Sequence, residues 1–286
     1  MNKINIDYIF LGTSNFSVFC LNELKVLGLL PNLIITSPDK PKGRGLVMEP
    51  NPVKAWAEEN NVKFLTPTKL DQNFINYLQS TKYDLLLVAS YGKIVPKVIL
   101  DMPKYGVLNI HPSLLPKYRG PSPLQTQILN DENNVGVTII KLDEQVDHGS
   151  LIAQEKIILE NILNFNELEK ITAKAGAKLL FRILPDWING RIKEVEQNHE
   201  DATFTKKVEK NDGLLNLELD KPYDCYLKTL AYSDWPGTFF FIDKNGIKIR
   251  VIIKESEFIG DKFIITKVLP EGKKEMSYED FLRGLN

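Results

Sequence analysis

Apolar runs of strand length alternate with helical stripes through residue 189. Ile6 to Leu11 is a hydrophobic run that ends at Gly12-Thr13-Ser14. Phe16, Cys20, Leu24 and Leu27 then recur at helical spacing over 16–28, which predicts strand, turn and helix. Leu33 to Thr36 predicts a second strand, 52–60 a helix opened by Pro52, Val62 to Leu65 a third strand, and 71–80 a helix striped by Phe74, Ile75 and Leu78. Asp84 to Ser90 is apolar almost without break, the pattern of a central parallel strand covered on both faces. Val107 to His111 predicts a short buried strand stopped by Pro112, and 123–130 a helix. Gly136 to Leu142 is a Val/Ile/Thr-rich strand, and Ile152 to Leu159 an antiparallel one near the sheet edge. Residues 164–187 predict a long helix that buries Leu168, Ile171, Ala175, Leu179 and Ile183, with Pro185 bending or ending its last turn. Strands and helices in this alternation make an α/β domain with a predominantly parallel sheet.

One segment breaks the alternation. Ser37-Pro38-Asp39-Lys40-Pro41-Lys42-Gly43-Arg44-Gly45 is rich in proline, glycine and charge, which excludes a helix or a central strand. A basic, glycine-hinged loop of this length is either a solvated connection or a lid that grips a ligand.

The pattern changes after residue 190. A polar stretch containing Gln197-Asn198-His199-Glu200-Asp201 separates the α/β part from short strands at Leu214-Leu215, 238–243, 246–254 and 262–269, with a short helix from Tyr223 to Leu230. Lys244-Asn245-Gly246 is a hairpin turn. The expected division is therefore a catalytic domain at 1–189, a linker at 190–206 and a small β-barrel at 207–286.

Charge narrows the partners. The 36 basic and 37 acidic residues give a net charge of -1, and the stretch from residue 205 on carries 14 of each. A general basic field for nucleic acid is excluded, so any RNA contact needs a local patch. The amino terminus lacks the apolar run of a signal peptide, and no stretch is long enough to span a bilayer. Cys20 and Cys225 are far apart and form no metal-ligand spacing. The cytoplasm is the expected location, with no membrane and no obligate protein partner indicated. Gly12 lacks the further glycines of a dinucleotide fingerprint, so a nicotinamide cofactor is not expected.

The chemistry concentrates at 106–147. Asn109 and His111 are two apart on one strand and share a face. Such a pair polarises a carbonyl and holds the oxyanion formed on attack, and Asp147 is the carboxylate to orient His111. No Ser or Cys is placed as nucleophile, so the attacking group belongs to a substrate. The competing reading makes Asn109 a turn cap and His111 a core histidine. Tyr91 and Ile94, after the apolar strand, either line a slot for a flat heterocycle or form an ordinary turn. Arg119 reads as exposed beside the site, either contacting a substrate phosphate or facing water; His148 competes with His111 as a base but reads better as a surface residue; and no metal-ligand cluster is present.

Asn109-x-His111-x-Ser113-Leu114-Leu115-Pro116 followed by Gly120 resembles the signature of the formyltransferases that use 10-formyltetrahydrofolate. The longer string through Lys117-Tyr118-Arg119-Gly120 is most similar to members acting on methionyl initiator tRNA. The resemblance implies a Rossmann-like catalytic domain and a barrel of the oligonucleotide-binding (OB) type. It implies catalytic Asn109, His111 and Asp147, a folate pocket made by Ser113, Leu114, Leu115 and Pro116 with Tyr91 and Ile94 on its wall, and no metal. The 37–45 loop matches a Pro-Asp-(Lys/Arg)-Pro-x-Gly-Arg-Gly insertion, which assigns Arg44, helped by Lys40 and Lys42, to the tRNA acceptor end. Lys273 and Lys274 are a candidate phosphate patch. Trp235-Pro236-Gly237 matches a motif in which the Trp packs and the Gly permits a turn. Two positions depart from the pattern: Gln145 stands where a glycine is common, and Leu214-Leu215-Asn216-Leu217 where an acidic residue and Trp are common. A sugar-nucleotide N-formyltransferase shares the trio but generally not the basic loop. A non-enzymatic RNA-binding protein would have no use for the trio.

Overall fold

The computed structural model describes residues 6–42, 47–244 and 246–285. They gather into two compact units. The first holds the residues up to 120 together with 135–157 and 169–204, and the second holds 121–134, 158–168 and the residues from 205 on.

In chain order the elements are β1 (Tyr8–Leu11), α1 (Asn15–Val26), β2 (Leu33–Ile35), β3 (Lys40–Lys42), β4 (Val47–Glu49), α2 (Pro52–Glu59), β5 (Phe64–Leu65), α3 (Gln72–Gln79), β6 (Leu85–Val88), α4 (Lys97–Leu100), β7 (Val107–His111), α5 (Pro123–Leu129), β8 (Asn134–Lys141), β9 (Leu151–Ile158) and α6 (Phe165–Ile188). Seven strands form one sheet in the order β5-β2-β1-β6-β7-β8-β9. β5, β2, β1, β6 and β7 run parallel, and β8 turns antiparallel to β7. This is the α/β, mostly parallel architecture that the alternation predicts.

The strands show why their sequences lack polar positions. Tyr8 and Phe10 of β1, Leu85 and Leu87 of β6, and Leu108 and Ile110 of β7 join one buried cluster. Ile9 and Leu11, Leu86 and Val88, and Val107 join another. Each strand buries both faces, so near-continuous apolar runs are required. The two-residue period then decides the site: Val107, Asn109 and His111 share one face of β7.

Four local expectations are corrected. The 37–49 segment contains a two-stranded antiparallel ribbon, with Lys40 opposite Glu49 and Lys42 opposite Val47. Prolines are tolerated there because each strand of an isolated ribbon has a free edge. The long helix buries Leu168 and Leu179 as expected, with Ala175 and Ile183 half-buried, but Ile171 is 39% exposed and the face is completed by Thr172, Ala173, Gly176, Ala177, Leu180 and Leu184. Small residues form that face because the helix lies close on the sheet: a methyl group on Gly176 would land on Ile110 Cγ2. Pro185 does not end the helix, which runs on to Ile188. Arg119 is 3% exposed, not a surface cation.

The second unit adds α7 (Pro222–Ala231), β10 (Phe239–Lys244), β11 (Ile247–Ile259), β12 (Lys262–Pro270), β13 (Met276–Ser277) and α8 (Tyr278–Arg283). Its strands form an antiparallel sheet in the order β10-β11-β12-β13, and register shifts between Ile253 and Ser256 bend β11. Leu215, Cys225, Phe240, Val251, Ile253, Val268 and Phe281 make its core. Such strands fit the small barrel expected of this part of the chain. Leu214 and Leu215 form no strand there, only a single bridge from Leu214 to Phe239. Trp235 does not pack as expected: it is 53% exposed, and its motif contributes a turn through Gly237, whose φ is 75°.

Candidate active site

Asn109 is level with Val88, the last residue of β6, and on its other side with Ile140 of β8. Beyond Val88 the neighbouring strand is gone, because Ser90 takes a left-handed conformation (φ 52°) and turns the chain away. His111, one step further, faces Thr138. Both side chains therefore stand at the carboxyl end of β7, where open α/β sheets bind ligands. They are 8% and 4% exposed. Among the described residues the Asn109 amide has no hydrogen-bond partner, so its donors and acceptor are uncommitted.

The His111 ring is held from two sides. Nε2 lies 3.0 Å from the carbonyl oxygen of Tyr118, and Nδ1 lies 3.5 Å from Asp147 Oδ1. A neutral imidazole has one N–H and serves one of these acceptors, whereas a doubly protonated ring serves both. The second Asp147 oxygen, Oδ2, accepts the Gly120 N–H at 2.8 Å. Tyr118 and Asp147 both have positive φ, 63° and 49°. Strained backbone of this kind collects at functional positions when the surroundings enforce it.

Asp147 arrives by a detour. β8 runs antiparallel, so the chain leaves it at the amino end of β7, where Leu142 N–H bonds the Val107 carbonyl at 2.8 Å. Residues 142–149 then cross back, and the excursion closes on its own base: Lys141 N–H bonds the Ser150 carbonyl at 2.9 Å. Gly149 is needed at that closure, since a Cβ there would land on the Lys141 carbonyl oxygen.

The segment after β7 is anchored from below. Thr138 Oγ1 donates to the Ser113 carbonyl at 2.6 Å and accepts the Leu115 N–H at 3.1 Å. Gln154 Nε2 donates to the Leu115 carbonyl at 2.6 Å. The Ser113 hydroxyl donates to the Lys117 carbonyl at 2.7 Å. Ser113 and Leu115 are buried, leaving Leu114 and Pro116 as the partly open side chains of this stretch. Tyr91 is 3% exposed in the apolar cluster behind β6, and Ile94 is 75% exposed. The Tyr91 hydroxyl is buried with no hydrogen-bond partner among the described residues, and burial pushes its pKa up to about 12. Burial, with the charge of Lys40, pulls the Lys93 ammonium below its ordinary value.

Four polar residues stand beside this centre, of which the sequence does not flag Gln197 and His199 as functional. Arg119, read as exposed, is buried and donates to Gln197 Oε1 from Nε at 3.1 Å and from Nη2 at 2.7 Å. Gln197, inside a polar run that reads as a connection, is 3% exposed. His199 Nδ1 is 2.8 Å from Arg119 Nη2, and its ring stacks on His148 with centroids 4.1 Å apart. His148, read as a surface residue, is held by Asp143 Oδ2 at 2.6 Å. Burial lowers the Arg119 pKa, and the charges of Asp147 and Asp143 pull it back. A run such as Glu196-Gln197-Asn198-His199 has no apolar periodicity, so the sequence carries no signal of its burial.

The remaining sequence candidates scatter. Arg44 lies outside the described residues. Lys40 and Lys42 are the two ends of β3, and Lys40 is exposed. Lys273 and Lys274 are exposed in the second unit, where Lys273, Lys244 and Lys248 edge a cavity of about 230 Å³ floored by Ile249 and Phe281. No three metal-ligating side chains come together among the described residues, and none of the described helices is long and apolar enough to cross a membrane.

Residues 8–184 match the family model described as formyl transferase. The methionyl-tRNA formyltransferase of Bacillus velezensis is 34% identical over 97% of this chain and 94% of its own length. The solved methionyl-tRNA formyltransferase of Clostridium thermocellum shares the fold with a TM-score of 0.61 at 16% identity, over 93% of this chain and 99% of that one. HypX from Aquifex aeolicus, solved in complex with tetrahydrofolic acid, has a TM-score of 0.66 at 16% identity, over 99% of this chain and 48% of that one. The chain belongs to the formyl transferase family, among its methionyl-tRNA formyltransferases.

Proposed function

We propose that the chain transfers the formyl group of 10-formyltetrahydrofolate to the α-amine of methionine on initiator tRNA, giving the N-formylmethionyl-tRNA used to start translation. The observation that carries this reading is the uncommitted Asn109 amide two residues from a His111 ring that faces Asp147, in a chain similar along nearly its whole length to methionyl-tRNA formyltransferases.

The unprotonated amine attacks the formyl carbon. Negative charge gathers on the formyl oxygen, where the Asn109 amide donates one hydrogen bond and His111 Nε2 donates another in place of its contact with the Tyr118 carbonyl. As the bond between the formyl carbon and the folate nitrogen breaks, His111 passes a proton to that nitrogen and takes up the one the attacking amine loses, and Asp147 keeps the ring oriented through that step. No residue of the chain forms a covalent intermediate. Folate lies against Ser113, Leu114, Leu115 and Pro116 on one side and Tyr91 and Ile94 on the other. Leu114, Pro116 and Ile94 present the accessible apolar surface. In support, a protein of the same fold is a complex with tetrahydrofolic acid. Arg44, Lys40 and Lys42 meet the acceptor end of the tRNA, and Lys273 and Lys274 contact phosphates from the barrel. The working division is a catalytic domain at 1–189, a linker at 190–206 and a tRNA-binding barrel at 207–286, acting in the cytoplasm.

The test is formyl transfer from 10-formyltetrahydrofolate to charged initiator tRNA beside transfer to a sugar-nucleotide amine. Faster turnover of the tRNA is expected. Preference for the sugar amine overturns the reading in favour of a sugar N-formyltransferase, and binding of tRNA without turnover of either amine overturns it in favour of a binding protein.

A further inference from the structure

We infer that Gln197 is the positioning residue of the Asp147 carboxylate, locked by Arg119; this rests on the role proposed above for Asp147. Gln197 Nε2 donates to two backbone carbonyls of the excursion, Asp147 at 2.9 Å and Gly149 at 2.7 Å. Its Oε1 accepts both Arg119 bonds. The direction of this amide is not ambiguous: guanidinium only donates and carbonyls only accept, so the flipped amide would lose four bonds at once. Gln197 and Arg119 are each 3% exposed, so water does not substitute for a lost bond and the cost falls on the backbone.

The two carbonyls bracket the residue whose geometry matters. Asp147 sits at φ 49°, a conformation that an aspartate holds only when its surroundings enforce it. Fixing the carbonyl of Asp147 and that of Gly149 fixes the peptide planes on its carboxyl side. The side chain is thereby aimed so that one oxygen takes the Gly120 N–H and the other faces His111. The arrangement closes into a ring. Asp143, at the start of the same excursion, holds His148, which stacks on His199, which meets Arg119 Nη2, which holds Gln197. Gln197 itself makes no hydrogen bond to His111, so its effect on the reaction runs through Asp147.

Gln197→Glu separates the two halves of the residue. A glutamate keeps both acceptor bonds from Arg119, so the clamp is retained, but it presents an oxygen to two carbonyls in place of two N–H groups. With charged initiator tRNA and 10-formyltetrahydrofolate, the single-turnover rate of Gln197→Glu is expected to fall at least tenfold. KM for both substrates and the Kd of a folate analogue stay within twofold. In an Asp147→Asn background the same change is expected to cost less than threefold, because the carboxylate it aims is already gone. Gln197→Met, which lacks both halves, repeats the rate measurement if the glutamate variant does not fold. Parental rates in a folded variant overturn the inference, and so does an equal loss with and without the Asp147 carboxylate, which marks a merely structural residue. A parent chain inactive on charged tRNA overturns the formyl-transfer reading itself, which the parental measurement reveals before any variant is compared.

Discussion

His111 Nδ1 stands 3.5 Å from one oxygen of Asp147, while the other oxygen is already taken by the Gly120 N–H at 2.8 Å. The first contact is longer than an ordinary hydrogen bond, and the second holds the carboxylate ready for it. In acid–base sites such contacts tighten when substrate arrives. Asp147→Asn leaves the shape and the Gly120 bond but removes the charge, and His111→Asn removes the proton carrier. Each is expected to lower the single-turnover rate by about 10²–10⁴, with folate-analogue binding retained. Quench-flow on folded variants checks this, and a rate within tenfold of the parent removes the residue from the chemistry.

Tyr91 contributes a pH dependence. Its phenol is neutral when protonated, and burial holds its pKa near 12 in the folded chain against roughly 10 when unfolded. As pH rises above 10 the unfolded chain sheds a proton that the folded chain keeps, so stability falls through the window from 10 to 12. Tyr91→Phe removes that loss together with a buried hydroxyl that lacks a partner among the described residues. Urea unfolding is expected to show the variant about 1 kcal/mol more stable at pH 7, with a larger advantage at pH 11. A variant less stable than the parent at both pH values contradicts this account.

What the chain discloses follows from period. The strands of the sheet are legible because burial on both faces leaves near-continuous apolar runs, and the shared face of Asn109 and His111 because the two-residue period depends only on neighbours. The buried face of α6 is legible in part: Leu168 and Leu179 are buried, but Ile171 is exposed, and the close approach of Thr172, Ala173, Gly176 and Ala177 carries no large-side-chain signal. The burial of Arg119 and Gln197, whose partners are 78 positions apart in sequence, is not legible. Polar pairs at that separation leave no local pattern, while charge and a polar neighbourhood predict exposure for each.

Gly176→Ala sets two effects against each other. Alanine gains about 1 kcal/mol of helix propensity over glycine. The added methyl collides with Ile110, and overpacking of this kind costs about 1–3 kcal/mol. Ile110 lies between Asn109 and His111 and is 1% exposed, so the strain has no outlet but the strand. Net destabilisation and a several-fold lower turnover are expected, read by thermal unfolding and by rate. A stabilised variant would mean the helix yields instead of the strand.

Arg44→Ala is expected to weaken productive use of charged tRNA far more than folate binding, with the loss chiefly in kcat/KM for tRNA. The parent has one more phosphate contact to lose, so added salt should harm it more than the variant. Steady-state rates at two salt concentrations beside a folate-analogue titration decide the matter. Unchanged tRNA kinetics would leave the loop a solvated connection and return weight to a small amine substrate.

The excursion that carries Asp147 begins and ends on one rung of the ladder, where Lys141 meets Ser150. Between those ends, its one backbone hydrogen bond to a strand among the described residues is that of Leu142 N–H to the Val107 carbonyl. Residues inserted or removed within it cost little in closure entropy and leave β8 in register with β7, yet each one shifts the reach of the carboxylate. A change in its length must therefore keep step with the amide at 197, which holds the Asp147 and Gly149 carbonyls.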